Sequence, residues 1–349
     1  MRRATTSRVS EYAELAELPL AVEGYSLERR ELEVSTRFKR VTTTVVLRGG
    51  GEEGRGEDVT YDAQEHEWFP ENLPLAGRYS LGELSPRLEG LALFRSERNE
   101  LSQNHRRWAL ESAALDLALR QAGRSLGDAI GRAYRRVRFV VSTRADVQPW
   151  LDVDPTLEFK LDADAGWSRR LIAELASTGR VRIVDFKAYY AGDWVGEPPA
   201  ASVYRDVLEL LPEAIVEDAG FTAETRELLV ANANRLSFDA PIHSLDDLTR
   251  LEIEPRILNV KPSRFGTLER LFACLDYCEE HTIAMYGGGQ FELGVGRSQV
   301  QALASLYYPD GPNDVAPAAY NEGGPRGGLP SSPLDPSDGL RGFAFSQDR

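Results

Sequence analysis

Lysine is scarce in this sequence. Only four lysines occur among 41 basic residues, and all the others are arginine. Arginine replaces lysine in most surface roles, but it does not readily lose its proton, so it is a poor general base. The lysines that remain are therefore candidates for positions that require an amine: Lys39, Lys160, Lys187 and Lys261.

Long apolar runs and cysteines are also rare. No apolar stretch approaches the length of a membrane span, and the first 20 residues contain no long apolar segment after their arginines. We therefore expect neither a membrane segment nor a signal peptide, and we predict a cytoplasmic location. Cys274 and Cys278 are four residues apart in a helix-like stretch, which favours small helix residues over a metal pair.

Positive charge is in deficit, since the formal net charge is -14. An acidic protein repels phosphate backbones and anionic lipids, so nucleic acids and membrane surfaces are poor candidate partners. Hydrophobic residues make up 42% of 349 residues, which is enough for a substantial core. This length suits a large barrel with a smaller second domain.

The first third of the chain has the pattern of an α+β domain. Residues 25–48 read as two strands around a short loop, and residues 54–61 read as a third strand after a glycine turn. Residues 105–123 have the apolar spacing of a helix that ends at Gly123. We predict a domain over residues 1–130.

Short apolar strands alternate with amphipathic helices after residue 135. Eight such strands predict a (β/α)8-type barrel over residues 131–320, and a doubly wound sheet is the alternative. Residues 321–349 are rich in Gly, Pro and Ser and are predicted to return to the first domain as extended chain. The predicted strands are 137–142, 157–161, 181–186, 214–218, 235–239, 256–261, 282–287 and 313–317.

Ionisable residues end five consecutive predicted strands. The C-terminal ends of barrel strands meet at one face, so these side chains are expected to converge there. Three carboxylates at one place repel each other unless a cation that prefers oxygen ligands binds them, and Mg²⁺ fits this set, with Mn²⁺ as an alternative. The five residues are Lys160, Asp185, Glu217, Asp239 and Lys261.

An ordered set of segments resembles the muconate-lactonizing subgroup of the enolase superfamily. Residues 257–306 look like its sixth and seventh strand region, and residues 108–132 resemble the helix that leads into its barrel. Residues 54–58, GRGED, are similar to the glycine–glutamate motif of its capping domain. The resemblance extends over residues 25–320, and it implies an α+β capping domain over a (β/α)7β barrel of the TIM type.

The resemblance also implies roles for individual residues. Asp185, Glu217 and Asp239 match the three metal ligands, and Lys261 matches the lysine of the sixth strand. Lys160 lies in the second-strand motif, where the family has two lysines separated by one residue. Lys160 and Lys261 are thus the predicted catalytic residues. Three substrate-binding candidates are weaker, namely Lys187, Glu292 near the seventh strand and Lys39 in a candidate specificity loop at 35–42.

Two positions depart from the family pattern. Strand alternation places Glu158, Lys160 and Asp162 on one face, so Lys160 is either the first or the second lysine of the usual pair. The third-strand motif, usually aspartate, any residue, asparagine, has Lys187 in place of asparagine. Alternation would point Lys187 to the same side as Asp185. There it could act as a base, bind an anionic substrate or weaken metal binding.

The implied reaction is removal of a proton α to a carboxylate, with a metal-stabilised enediolate and a lysine base. The first hypothesis is a Mg²⁺-dependent lyase or isomerase, of the cycloisomerase or o-succinylbenzoate synthase kind. The second is a racemase or epimerase of amino-acid derivatives, and the third is a binding protein that kept the fold but lost the chemistry. A small carboxylate substrate and a homo-oligomer are expected.

Overall fold

The computed structural model describes residues 10–35, 38–96, 98–144, 146–190 and 198–346. Its first part is an α+β unit, which we call the cap. The elements of the cap, in chain order, are α1 Glu11–Ala16, β1 Pro19–Val22, β2 Gly24–Ser35, β3 Phe38–Gly49, β4 Glu52–Asp58, α2 Ala63–Glu67, β5 Gly77–Ser80, α3 Leu81–Glu89, α4 Glu100–Gln121 and α5 Leu126–Ile130.

Glycines allow the main sheet of the cap to lie directly on its longest helix. Strands β2, β3 and β4 form an antiparallel sheet, and β4 packs against α4. A Cβ atom at Gly54 would lie 2.2 Å from the Leu117 backbone nitrogen, and one at Gly56 would lie 2.1 Å from the Ala109 carbonyl oxygen. The GRGED segment is therefore glycine-rich because a helix backbone occupies the space of a side chain.

The second part of the described chain is a parallel sheet with helices between its strands. The strands follow one another in the order of the sequence, from β6 to β12. The elements are β6 Val141–Thr143, α6 Gln148–Val153, β7 Phe159–Asp162, α7 Arg169–Ser177, β8 Val181–Asp185, α8 Ala201–Leu210, β9 Ile215–Glu217, α9 Arg226–Ala231, β10 Leu236–Phe238, α10 Leu245–Leu248, β11 Ile257–Val260, α11 Pro262–Phe265, α12 Leu268–Glu280, β12 Ala284–Gly287 and α13 Gly296–Tyr307.

The two edges of this sheet are joined by a short eighth segment. Asn313 makes a parallel bridge to Phe139, and its neighbour Asp314 makes one to Gly288 after β12. The Val140 amide donates to the Asn313 carbonyl at 2.8 Å, and the Asp314 amide donates to the Gly287 carbonyl at 2.8 Å. The sheet therefore closes on itself, which confirms the predicted barrel with a cap and excludes the doubly wound alternative.

The chain after residue 330 contacts both parts of the fold. Leu334 pairs with Val137 just before the barrel. Further on, Gly342 exchanges backbone hydrogen bonds with Arg124 and Leu126 of the cap, and the Phe343 ring packs edge-on against Trp108 of α4 at 6.3 Å between centroids. The domain boundaries at residues 130 and 320 remain predictions.

No helix within the described ranges is long and apolar enough to cross a membrane. Cys274 and Cys278 are free thiols buried in α12. They belong to the hydrophobic core between this helix and its neighbours.

Candidate active site

Carboxylates end three neighbouring barrel strands at the same face. Asp185 is the last residue of β8 and pairs in register with Glu217, the last residue of β9. Asp239 follows β10 directly. All three side chains are fully buried. Parallel strands that stop at one level therefore bring these charges together, as their spacing in the sequence predicted.

Oxygen atoms of Asp185, Glu217 and Asp218 lie within 4.8 Å of one another, a spacing that suits one metal ion. Asp218, which sequence reasoning missed, takes the place of Asp239 in this closest set. Its backbone is left-handed, with φ 48°, and its carboxylate accepts from the Asp239 amide at 2.9 Å and the Ala240 amide at 3.0 Å. Asp218 thus fixes the start of the loop that carries Asp239.

The donor set fits a divalent cation that prefers oxygen. Asp239 Oδ1 and Asn259 Oδ1 are buried oxygens without a hydrogen bond among the described residues. Burial raises the pKa of Asp218 well above its usual range, and the charges of Asp239, Asp185 and Glu217 raise it further. Such an excess of buried negative charge is what a bound cation relieves.

Lys160 is an internal partner of two of these carboxylates. Its Nζ atom lies 2.5 Å from Glu217 Oε1 and 3.2 Å from Asp185 Oδ2, and its side chain is only 3% exposed. Burial lowers the pKa of Lys160, but Glu217 and Asp185 outweigh this effect and hold the pKa well above its usual range. In this arrangement Lys160 is a counter-ion to Glu217 and Asp185.

Glu217 has further polar neighbours that the sequence did not reveal as a group. Tyr286 Oη donates a short hydrogen bond to Glu217 Oε2, and Asn259 Nδ2 donates to Oε1 at 3.2 Å. The pKa of Glu217 is raised to about 7, chiefly by burial; the charge of Lys160 opposes the rise, and that of Asp185 adds to it. A polar Asn259 in the otherwise apolar β11 was the available signal for this contact.

Lys261 and Arg264 hold Asp239 from the other side of the cluster. Lys261 Nζ lies 2.8 Å from Asp239 Oδ2, and Arg264 Nε lies 3.3 Å from Oδ1. Arg264 also donates to Tyr190 Oη at 2.7 Å, and Tyr190 donates to Asp239 at 2.9 Å. Burial raises the pKa of Asp239, but Arg264 and Lys261 outweigh it and hold the pKa well below its usual range.

Sequence reasoning missed Arg264 and Tyr190. Arg264 lies in α11, which begins at Pro262 directly after Lys261. This short helix turns Arg264 back over the strand end, and arginine is so common in the sequence that its residue type gave no signal.

Lys187 reaches the cluster by a different route from the predicted one. Strand β8 ends at Asp185, so alternation does not orient Lys187. Its backbone is left-handed, with φ 52°, and its amide donates to Asp185 Oδ1 at 3.0 Å. This turn brings Lys187 Nζ to 2.9 Å from Asp185 Oδ2 and 3.1 Å from Asp162 Oδ1.

Asp162 and Glu158 lie in different surroundings although alternation places both on the face of Lys160. Asp162 pairs in register with Asp185 at the C-terminal end of the strands. Glu158 precedes β7 and binds Arg138 at 2.6 Å and Arg182 at 2.7 Å. Asp162 is therefore the second-strand residue that accompanies Lys160 at the barrel mouth.

Glu292 lies at the cap–barrel contact, and Lys39 does not reach the carboxylates. Glu292 is 3% exposed and pairs with Arg297 at 3.1 Å. Lys39 is exposed and pairs with Glu31 at 2.7 Å on its own hairpin. Its neighbour Arg40 points the other way, is fully buried, and donates to the Gln290 and Phe291 carbonyls.

Glu57 of the GRGED segment joins the cap to the loop after β12. Its carboxylate accepts from the backbone amides of Leu293, Gly294 and Gly296 at 2.8–3.0 Å. Burial raises the pKa of Glu57, and the charge of Glu292 adds to this rise. The resemblance identified this motif, and the structure gives its physical purpose, which is to cap the N-terminal end of α13.

Two curated relatives share part of the sequence. An o-succinylbenzoate synthase of Bacillus subtilis (strain 168) is 39% identical over 83 residues, which are 23% of this chain and 22% of the relative. An o-succinylbenzoate synthase of Enterococcus faecalis (strain ATCC 700802 / V583) is 25% identical over 193 residues, 54% of this chain and 45% of the relative. The matched region thus spans less than half the length of these relatives.

Solved structures are similar over most of the chain. A muconate cycloisomerase from Pseudomonas fluorescens has a TM-score of 0.63 at 18% identity, covering 94% of this chain and 95% of that one. A dipeptide epimerase from Methylococcus capsulatus has a TM-score of 0.59 at 20% identity, covering 82% of this chain and 86% of that one. A member of the enolase superfamily from Listeria innocua has a TM-score of 0.59 at 18% identity, covering 86% of this chain and 84% of that one.

These similarities define the class of the protein, a capped barrel with the fold of the enolase superfamily. Two family models match the sequence itself. They are described as the N-terminal and C-terminal domains of a domain of unknown function, DUF8230, and they match residues 13–129 and 133–322. The chain belongs to the DUF8230 family.

Proposed function

We propose that this protein is a metal-dependent lyase or isomerase that removes a proton α to a carboxylate, in the manner of an o-succinylbenzoate synthase. The observation that carries the proposal is the buried carboxylate cluster at the barrel mouth, with lysine ammonium groups against Asp185, Glu217 and Asp239. The superfamily fold and the partial likeness to two o-succinylbenzoate synthases support it.

Asp185, Glu217 and Asp239 would hold the cation, which we take to be Mg²⁺. Asp218 orients Asp239 through two backbone amides and adds negative charge to the same place. When bound, the cation supplies positive charge that stabilises an enediolate. Asp239 is proposed as third ligand over Asp218 because both Asp218 oxygens already accept amides. Asp239 Oδ1 accepts no hydrogen bond within the described residues, although Arg264 Nε lies 3.3 Å from it.

Lys261 is the proposed base. Its Nζ atom contacts one oxygen of Asp239. Lys261 follows β11, which is separated from β8 in the sheet by β9 and β10. The step starts from the neutral amine of Lys261. Removing the α-proton breaks the C–H bond, the electron pair moves into the carboxylate, and the proton goes to Lys261 Nζ, which becomes an ammonium group. The buried surroundings exclude water from this transfer.

Epimerisation of a dipeptide or another amino-acid derivative is the second candidate. The presence of lysines on two sides of the carboxylates favours it, because proton transfer on both faces of a substrate needs two groups. A small carboxylate is the substrate class in either case, and we retain the expectation of a homo-oligomer.

The test is exchange of α-protons with solvent deuterium. The protein with Mg²⁺ is incubated in D₂O with the lactone formed from muconate, a cyclic 3-hydroxy acid and dipeptides, each of which carries a C–H bond on a saturated carbon α to a carboxylate. Proton NMR follows the α-proton signal. Exchange with a new product supports a lyase or isomerase, and exchange with loss of optical rotation supports an epimerase. Binding of these compounds without exchange would contradict both reactions and leave a binding protein of the same fold.

A further inference from the structure

The three barrel lysines differ in their access to a ligand. The side chain of Lys160 is 3% exposed, that of Lys261 is 9% exposed, and that of Lys187 is 22% exposed. Lys160 is further enclosed by Asp314, whose Oδ2 atom lies 3.8 Å from its Nζ atom. On the β7–β8 side of the mouth, Lys187 is therefore the ammonium group open to an incoming molecule.

The local backbone is arranged to place Lys187 there. A left-handed conformation is unfavourable for a residue with a side chain, by about 1 kcal/mol or more. Lys187 adopts it directly after β8, and the Asp185 carboxylate accepts its amide. Strain of this kind persists only where the surrounding structure holds it, here through the hydrogen bond to Asp185.

Asp162 completes the arrangement from the neighbouring strand. It pairs in register with Asp185, and its side chain is 33% exposed, so it stands at the outer edge of the cluster. Lys187 Nζ lies between the two carboxylates, and it also lies 5.4 Å from the centre of the Tyr190 ring. The ammonium group is thus directed by Asp162 toward the mouth while it remains bound to Asp185.

We propose that Lys187, positioned by Asp162, is the ammonium group that contacts the carboxylate of the substrate on the β7–β8 side of the mouth. Lys160 is instead an internal counter-ion that positions Glu217 and Asp185 and does not touch the substrate. This reassigns the predicted catalytic role of Lys160. It rests on the proposed function in one respect, namely that the ligand is a carboxylate.

A single contacting ammonium group on this side has a chemical consequence. Lys187 binds negative charge on the substrate, and Lys261 alone moves the α-proton from the other side. The inference therefore favours a one-base lyase or isomerase over an epimerase. A positive charge, and not an exchangeable proton, is what the position of Lys187 requires, so arginine should serve there in part.

Lysine signals provide a direct readout because the chain has only four lysines. The protein is labelled with lysine carrying ¹³C at Cε, and each signal is assigned by one Lys→Arg variant. o-Succinylbenzoate, muconate and a dipeptide are then added in turn in the presence of Mg²⁺. A shift of the Lys187 signal with an unchanged Lys160 signal is expected with the compound that binds.

Variants test the same contact by affinity. Lys187→Gln should weaken binding of the carboxylate by about 10- to 100-fold, the scale of a hydrogen bond to a charged group. Lys187→Arg should stay within about tenfold of the wild type because it keeps the charge. The carboxylate affinity of Asp162→Asn should lie between the affinities of these two variants. The double variant Asp162→Lys with Lys187→Asp restores an ammonium group beside Asp185 and should recover part of the loss.

The outcomes separate this inference from the proposed function. A Lys261 shift without a Lys187 shift, or a Lys160 shift in place of Lys187, overturns the inference alone. No response at Lys187 or Lys261 to any of the three compounds overturns both. Equal loss of affinity in Lys187→Arg and Lys187→Gln also contradicts the inference, because it shows that charge at this position is not what the ligand needs.

Discussion

Lys261 is the residue on which the proposed chemistry depends most. An arginine at this position keeps the ion pair with Asp239 but does not give up its proton. Lys261→Arg is therefore expected to fold normally and to lower α-proton exchange by at least ~10²-fold, the usual scale of general acid–base catalysis. Exchange is measured by proton NMR in D₂O, with Lys39→Arg on the outer hairpin as the matched control. Full exchange in Lys261→Arg would refute the role.

Lys187 is expected to lower the affinity of the site for Mg²⁺. Its ammonium group lies 2.9 Å from an oxygen of Asp185 and so competes with a cation for that carboxylate. Lys187→Asn should bind Mg²⁺ roughly tenfold more tightly, equivalent to ~1.4 kcal/mol. Calorimetric titration of the wild type and the variant provides the comparison, and Lys39→Asn makes the same charge change on the surface. Equal affinities in all three proteins would remove this role.

His105 makes the stability of the fold depend on pH. It is 1% exposed in α4, and burial lowers its pKa to about 3, with Arg264 adding to the effect. The unfolded chain binds a proton at His105 below about pH 6.5, whereas the folded chain does not until about pH 3. The contribution of His105 to stability is therefore complete above this range and is lost as the pH falls through it.

Urea unfolding of the wild type and His105→Gln measures this contribution. Between about pH 7 and pH 5 the free energy of unfolding of the wild type should fall by about 2 kcal/mol more than that of the variant. An identical pH dependence in the two proteins would show that His105 is not kept neutral by its surroundings.

The contact between β4 and α4 is the clearest element-level requirement of the cap. A Cβ atom at Gly56 would lie 2.1 Å from the Ala109 carbonyl oxygen and 2.3 Å from Ser112 Oγ. Gly56→Ala should lower the free energy of unfolding by about 1–3 kcal/mol, the cost of overpacking. Gly24→Ala is the control, since nothing lies within 4 Å of a Cβ atom there, and it should change stability by less than about 0.5 kcal/mol. Similar effects of the two substitutions would contradict the packing argument.

Strand ends were predictable from the sequence, but the turns that follow them were not. Asp185 and Glu217 were expected at one face because parallel strands end at one level, and they lie there. Lys187 and Asp218 depend on left-handed residues that no strand pattern specifies. Likewise Lys39 and Arg40 are adjacent in β3, and only the packing of the cap on the barrel decides that Arg40 is the buried one.

At the scale of the whole molecule, the cap and the barrel share the loop after β12. Glu57 binds its backbone amides and Arg40 binds its carbonyls, so the cap fixes the segment that contains Glu292. The order of elements in the sequence predicted both units. Contacts across 200 or more residues of sequence, such as Glu57 with Leu293, needed the folded chain.

The central claim is that the buried carboxylates form a divalent-cation site that serves α-proton removal. The most direct test is the rate of solvent-deuterium exchange of a carboxylate substrate after treatment with a chelator and after addition of Mg²⁺. We predict that the chelator abolishes exchange, that Mg²⁺ restores it, and that Glu217→Gln stays at least ~10²-fold below the restored rate. Exchange that continues unchanged in the chelated wild type, or at the full rate in Glu217→Gln, would contradict the account.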